Sequence, residues 1–224
     1  MGLDPPQTRT PLFRNVIPAQ EGTASKQKGR LKTPPPQTRQ PKEHPMNLTE
    51  TQISSEPIYN GTFVTIARDK VRLPNGNEGQ RVVIRHPGAA CILAETADGK
   101  IVFVRQWRYA LGGPLLELPA GKLDAGEDPA ACALRELSEE TPYAAESAQL
   151  VATFYTAPGF CDEKMYLYRA VNVSKTSTLQ PDQDEFVETV LLTREEAAQA
   201  VRDNRIQDGK TLIGLQHWLL SQAG

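Results

Sequence analysis

The sequence predicts an α+β fold, a mixed sheet with helices packed on it. Three observations carry this expectation: stretches with strand patterning outnumber helical ones, one helical stretch falls among them, and two more close the chain. The length of 224 residues allows one domain of ordinary size with an appended tail.

The tail comes first. Residues 1–45 hold half of the chain's eighteen prolines, few aromatic residues and an excess of Lys and Arg over acids. Such a segment buries too little apolar surface to offset its ordering entropy, so residues 1–47 are expected to be a disordered, proline-rich basic tail before a domain over 48–224. The pentapeptide Pro5-Pro6-Gln7-Thr8-Arg9 recurs as Pro35-Pro36-Gln37-Thr38-Arg39, which is far short of a repeat architecture.

A region of short N-terminal antiparallel strands is expected over about 57–86. Thr62 to Ile66 and Val71 to Leu73 alternate at period two, and Pro74-Asn75-Gly76-Asn77 supplies turn chemistry before Arg81 to Arg85. The remaining core spans about 87–224. Ala89 to Glu95 and Ile101 to Arg108 flank Asp98-Gly99, a strong hairpin turn. Leu115 to Ala120 then leads into the central helix, where Asp128 and Pro129 read as N-cap and first helical residue and Leu134 and Leu137 fall at helical spacing. Leu150 to Thr156, Met165 to Val173 and Phe186 to Leu192 read as strands. Glu195 to Asp203 and Thr211 to Leu220 read as helices, the latter with Leu212, Leu215 and Leu219 on one face.

Several function classes are excluded by composition. No apolar run approaches the length of a membrane span. The three cysteines, Cys91, Cys132 and Cys161, are an odd number without metal-ligand spacing, which suits a reducing, cytoplasmic compartment. A net charge of −2 offers no electrostatic case for nucleic acid.

The chemistry concentrates in Gly121 to Tyr143. On its helix Glu136, Glu139 and Glu140 sit at i, i+3 and i+4, so the 3.6-residue period brings three carboxylates to one face. No Lys or Arg is expected at the compensating positions there. The economical neutraliser is a hard divalent cation with oxygen ligands, Mg²⁺ first and Mn²⁺ second.

This stretch resembles the Nudix box: G, five residues, E, seven residues, then R-E-U-x-E-E-x-G-U with U bulky and apolar. Gly121, Glu127, Arg135, Glu136, Leu137, Glu139 and Glu140 fall in register, and Tyr143 fills the last apolar place. Pro142 replaces the second glycine. Proline biases Thr141 away from helical dihedrals, so the helix is expected to stop one residue early. Val104-Arg105-Gln106-Trp107-Arg108, Glu117 to Gly121, Thr156 to Glu163, with Pro158 about fifteen residues beyond the box, and the segment from Asp184 to Ile213 are similar to the ADP-ribose pyrophosphatase branch.

The resemblance implies a Nudix α/β/α sandwich and a metal-dependent diphosphatase giving AMP and ribose 5-phosphate from ADP-ribose. It implies Glu136, Glu139, Glu140 and the carbonyl of Ala120 as metal ligands, with Glu139 also a catalytic candidate, and Glu127 with Arg135 as an internal ion pair. Glu163, off the helix, is the expected general base, with Glu185 or Glu188 as the reserve. Arg81 and Arg108 match substrate-binding arginines, and their bland reading is exposed strand ends. Trp107 has two readings, a stack on adenine or a core residue in mid-strand. The family pattern also implies a homodimer with exchanged N-terminal strands, placing Tyr59 and Phe63 against the partner's nucleotide. Two alternatives stay open: another nucleoside-diphosphate sugar such as GDP-mannose, and a catalytically silent Nudix nucleotide-binding module, motivated by Pro142.

Overall fold

A computed structural model describes residues 46–179 and 186–221. The expected disordered segment up to residue 45, with Asp184 and Glu185, lies outside the described residues. Strands β1 (Thr51–Asn60), β2 (Thr65–Arg72) and β3 (Glu78–Arg85) form an antiparallel sheet in the order β1-β2-β3. Two expectations shift here. Gly61 to Val64 is a turn closed by Gly61 N donating to Val64 O at 2.9 Å, so β2 begins at Thr65 rather than Thr62. β1 starts six residues before the expected Pro57, because all ten of its residues are exposed and no apolar alternation betrays it. Pro57 is tolerated because β1 is an edge strand, and its register slips between Pro57 and Tyr59.

Next come β4 (Ala89–Leu93), β5 (Ile101–Arg108), β6 (Gly113–Glu117) and β7 (Ala120–Lys122). Helix α1 (Pro129–Glu140) separates these from β8 (Ala144–Tyr155), β9 (Lys164–Ser174) and β10 (Val187–Leu192), and α2 (Arg194–Arg202) and α3 (Gly209–Ser221) end the chain. The order in the mixed sheet is β7-β4-β9-β8, with β4 parallel to β9 and the other pairs antiparallel. A second, antiparallel sheet runs β10-β5-β6. The turn at Asp98-Gly99 forms, with Gly99 at φ +78°, but the expected hairpin reaches only the Glu95–Ile101 bridge before β4 and β5 part into different sheets.

Strand β4 explains the layering. All five of its residues are buried, as a strand covered on both faces demands. Ala89, Cys91 and Leu93 pack with Ala197 and Ala200 of α2 and Leu215 and Trp218 of α3. Ala90 and Ile92 point the other way, into Cys132, Ala133 and Leu137 of α1. The period of two therefore sorts one strand between two helical layers, the α/β/α sandwich expected above. Leu215 is fully buried on α3, with Leu212 and Leu219 partly buried beside it.

Among the described residues no helix is long and apolar enough to cross a membrane.

Candidate active site

Helix α1 begins where Asp128 accepts from Ala130 N at 2.9 Å and Ala131 N at 3.2 Å, with Pro129 in the first turn. It ends at Glu140, one residue early, because Thr141 takes extended dihedrals (φ −141°, ψ 160°) before Pro142. Thr141 Oγ1 donates to Leu137 O at 2.5 Å and accepts from Tyr143 N at 3.1 Å, capping the last turn without a left-handed glycine. Glu140 stays in place despite the proline: its Oε2 accepts from Ala120 N at 3.0 Å, which ties the helix to β7.

Strand β7 and α1 approach closely because residue 121 is glycine. A Cβ there would lie 1.8 Å from Glu136 Oε1, so any side chain would expel that carboxylate. Glu136 and Glu140 are 7% and 5% exposed, and both face a recess of about 330 Å³ with Glu139, Arg135, Ala120 and Gly121.

Arg135 forms the expected fork with Glu127, Nε to Oε1 at 2.9 Å and Nη2 to Oε2 at 3.0 Å. Glu127 also accepts from Asp124 N at 3.0 Å, which pins the preceding loop to the helix. Arg135 holds the Glu127 carboxyl below its ordinary range, and Glu127 in turn raises Arg135. The expectation that no base compensates the carboxylate face is overturned. Arg135 Nη1 also donates to Glu136 Oε1 at 2.8 Å and Glu139 Oε2 at 2.9 Å. A guanidinium has five donors, so pairing with Glu127 leaves Nη1 for Glu139 one turn along and for adjacent Glu136.

Beyond β7 opens a larger cleft of about 590 Å³, whose wall shares Arg108, Ala120, Gly121 and Lys122 with the acidic recess. Glu163 lines it, with Thr156 Oγ1 donating to its Oε2 and His86 Nε2 3.7 Å from its Oε1. Arg108 lines both cavities and binds Glu117 through Nε at 2.7 Å and Nη2 at 2.8 Å.

Glu117 is the residue sequence reasoning missed. It is 1% exposed and also pairs with Lys210, which in turn lies 3.1 Å from Asp208. Asp208 Oδ2 accepts from Thr211 N and Oγ1, and Thr211 Oγ1 accepts from Leu118 N at 2.8 Å, locking the start of α3 onto the cleft floor. A lone acid inside Leu115-Leu116-Glu117-Leu118 was the available signal for a buried ion pair. Burial pushes the Glu117 carboxyl up, but Arg108 and Lys210 outweigh it and leave it below its ordinary range. Burial opposes the Lys210 charge while Asp208 and Glu117 favour it, with a net rise. A depressed carboxyl stabilises the fold fully above its unfolded pKa and loses that contribution as pH falls through its folded pKa. Glu117→Gln is therefore expected to cost about 3 kcal/mol at neutral pH, by breaking a buried pair. The gap to the parent chain should narrow as pH falls below the ordinary carboxylate range and Glu117 is protonated, as followed by urea unfolding across pH.

The other expected site residues are not gathered here. Arg81 pairs with Glu50, Nε to Oε2 at 3.0 Å, and lines a separate depression with Phe160. Its bland reading as a strand end is inexact, since it sits mid-strand in β3. Trp107 is 60% exposed and lines neither cavity, which overturns its core reading: β5 is buried only from Ile101 to Val104. Tyr59 is exposed, and Phe63 stands edge-on to His86 of its own chain at 5.8 Å. Glu188, the one exposed residue of β10, pairs with Arg105 at 2.9 Å and does not line the cleft. Among the described residues, no cluster of three His, Cys, Asp or Glu is already spaced as a metal cage. Glu136, Glu139 and Glu140 nonetheless present carboxylate oxygens to the recess, and the glycine cradle at 121 lets Glu136 reach β7, so these residues fit a hard divalent cation.

Comparison with known proteins matches this arrangement. The family described as NUDIX domain matches residues 84–212, and that described as nucleoside diphosphate sugar hydrolase N-terminal domain matches residues 50–84. The chain is 45% identical over 175 residues to a methanol dehydrogenase activator of Bacillus methanolicus, covering 78% of this chain and 95% of the relative. It is 40% identical over 178 residues to an ADP-ribose pyrophosphatase of Bacillus subtilis, covering 79% and 96%. A crystal structure described as an ADP compounds hydrolase shares the fold, with a TM-score of 0.67 at 22% identity over 79% of this chain and 98% of that one. With its box in register on α1 and the family match spanning more than half its length, this chain belongs to the Nudix hydrolase family.

Proposed function

We infer that the protein hydrolyses the diphosphate bond of ADP-ribose to AMP and ribose 5-phosphate. One observation carries the reading: three carboxylates of α1 and the proposed base Glu163 face two cavities that share the wall Ala120 to Lys122. The name of the Bacillus subtilis relative supports the choice of substrate.

Glu136, Glu139, Glu140 and the Ala120 carbonyl would hold Mg²⁺, with Mn²⁺ as a substitute. When bound there, the cation neutralises charge on the diphosphate oxygens and favours ionisation of the attacking water. Glu163 accepts the proton of that water as its oxygen bonds to phosphorus and the bridging P–O bond breaks. Such a base contributes about 10²–10⁴-fold. Arg108 spends Nε and Nη2 on Glu117, so Nη1 is the donor it offers to a phosphate oxygen. The Glu127–Arg135 fork fixes geometry and takes no part in proton transfer.

The N-terminal strands support a homodimer. β1 is an exposed edge strand carrying Ile53, Ile58 and Tyr59 at the surface, a surface that pairing with a second copy would cover. Light scattering at micromolar concentration should give twice the chain mass; a monomer would reject this. Three free cysteines, with Cys91 and Cys132 pushed up to about 12 chiefly by burial, accord with a reducing cytoplasm. A fold boundary near Met46 separates the proposed enzyme domain from the proline-rich tail.

The experiment is a panel of nucleoside-diphosphate sugars, assayed by phosphate release with added phosphatase, on the whole chain and on residues 46–224. ADP-ribose is expected to be cleaved fastest by both. Faster cleavage of GDP-mannose would move the substrate, binding without turnover at saturating Mg²⁺ would favour a silent module, and an inactive 46–224 would move the boundary.

A further inference from the structure

The cleft contains one histidine that the mechanism above does not use. His86 follows β3 and is largely buried, its side chain 12% exposed. Its backbone and ring are both fixed. His86 N donates to Asp162 Oδ1 at 2.8 Å, Ile84 N donates to Phe160 O at 2.7 Å, and Asp162 N donates to Ile84 O at 3.2 Å, so the end of β3 is stitched to the loop that carries Glu163. Arg85 adds an ion pair to Asp162 at 3.0 Å. Burial pushes the Asp162 carboxyl up, and the His86 amide and Arg85 outweigh it to a net lowering, so this latch stays charged.

The ring is oriented from the other side. Gly88 N donates to His86 Nδ1 at 3.1 Å. A ring nitrogen that accepts carries no proton, so neutral His86 bears its N–H on Nε2, the atom that faces Glu163 Oε1 at 3.7 Å. Phe63 stands edge-on to the ring and limits its swing. With Thr156 Oγ1 donating to Oε2, each Glu163 oxygen has its own donor-bearing neighbour.

We propose that His86 is a positioning residue for the general base: its Nε2–H holds one Glu163 oxygen so that the other is aimed at the attacking water. This rests on Glu163 being the base. It also makes the N-terminal sheet part of the catalytic device, because β3 and the Gly88 turn set the direction of the ring. At 3.7 Å the contact is longer than a hydrogen bond, and the role proposed for His86 requires it to shorten when substrate binds.

Two isosteric replacements separate aiming from folding. His86→Asn retains an acceptor for Gly88 N but loses the atom facing Glu163. His86→Gln places an N–H near the Nε2 position and gives up the Gly88 contact. The expected result is a fall in kcat of roughly 10- to 100-fold for His86→Asn with KM for ADP-ribose unchanged, and substantial recovery in His86→Gln. An Asn variant as active as the parent, or a Gln variant as poor as Asn, overturns the proposal. Thermal unfolding of both identifies any loss due to a damaged fold; equal kcat among chains folded at the assay temperature counts against it. The same substitution is made in Glu163→Gln, where it should add no further loss. Additive losses there overturn the role of His86 alone, whereas a Glu163→Gln chain with undiminished turnover overturns both it and the identity of the base.

Discussion

Glu136→Gln and Glu140→Gln each lower turnover of ADP-ribose by about a thousandfold and raise the Mg²⁺ concentration needed for half-maximal activity. A thousandfold corresponds to about 4 kcal/mol of transition-state stabilisation, the size expected when charge neutralisation at a transferring phosphoryl group is impaired. Glutamine preserves volume, and in Glu140→Gln an amide oxygen can still accept from Ala120 N, so the fold should persist. Titrating Mg²⁺ against initial rate checks the expectation. A variant with unchanged half-saturation would remove that carboxylate from the proposed ligand set. Glu139→Gln should be milder, because Glu139 is the most exposed of the three.

Glu163→Gln reduces kcat by at least a hundredfold while leaving KM and the Mg²⁺ requirement near those of the parent. The residue stands on a loop away from α1, held by Thr156, so its removal takes away a proton acceptor without touching the carboxylate face. Steady-state kinetics over a Mg²⁺ series measures all three quantities. If kcat stayed within threefold, the base would have to be sought elsewhere. Glu188 is badly placed for it, exposed on β10, paired with Arg105 and absent from the cleft lining.

Much of this site was legible in the sequence because its spacing is local. The helix period alone places Glu136, Glu139 and Glu140 together, and Asp128-Pro129 and Thr141-Pro142 mark both helix ends. The Glu127–Arg135 fork was also readable. Its extra reach to Glu136 and Glu139 was not, because a one-partner reading of arginine ignores its remaining donors. Glu117, Lys210 and Asp208 went unseen for a different reason: the lone acid in an apolar run hints that Glu117 is paired, but its association joins β6 to the start of α3 across 93 residues, and no local pattern identifies such a partner. Strand β1 was only half anticipated, since its order comes from pairing with β2 rather than from burial. The exposure of Trp107 likewise depends on where β5 leaves the core, which alternation within the strand does not reveal.

The most direct measurement is release of AMP from ADP-ribose by chain stripped of divalent ions, with excess chelator and then with Mg²⁺ restored. AMP and ribose 5-phosphate should form in equal amounts only after Mg²⁺ returns, with Mn²⁺ able to replace it. Undiminished AMP formation in the chelator would contradict a cation held between the α1 carboxylates and the diphosphate.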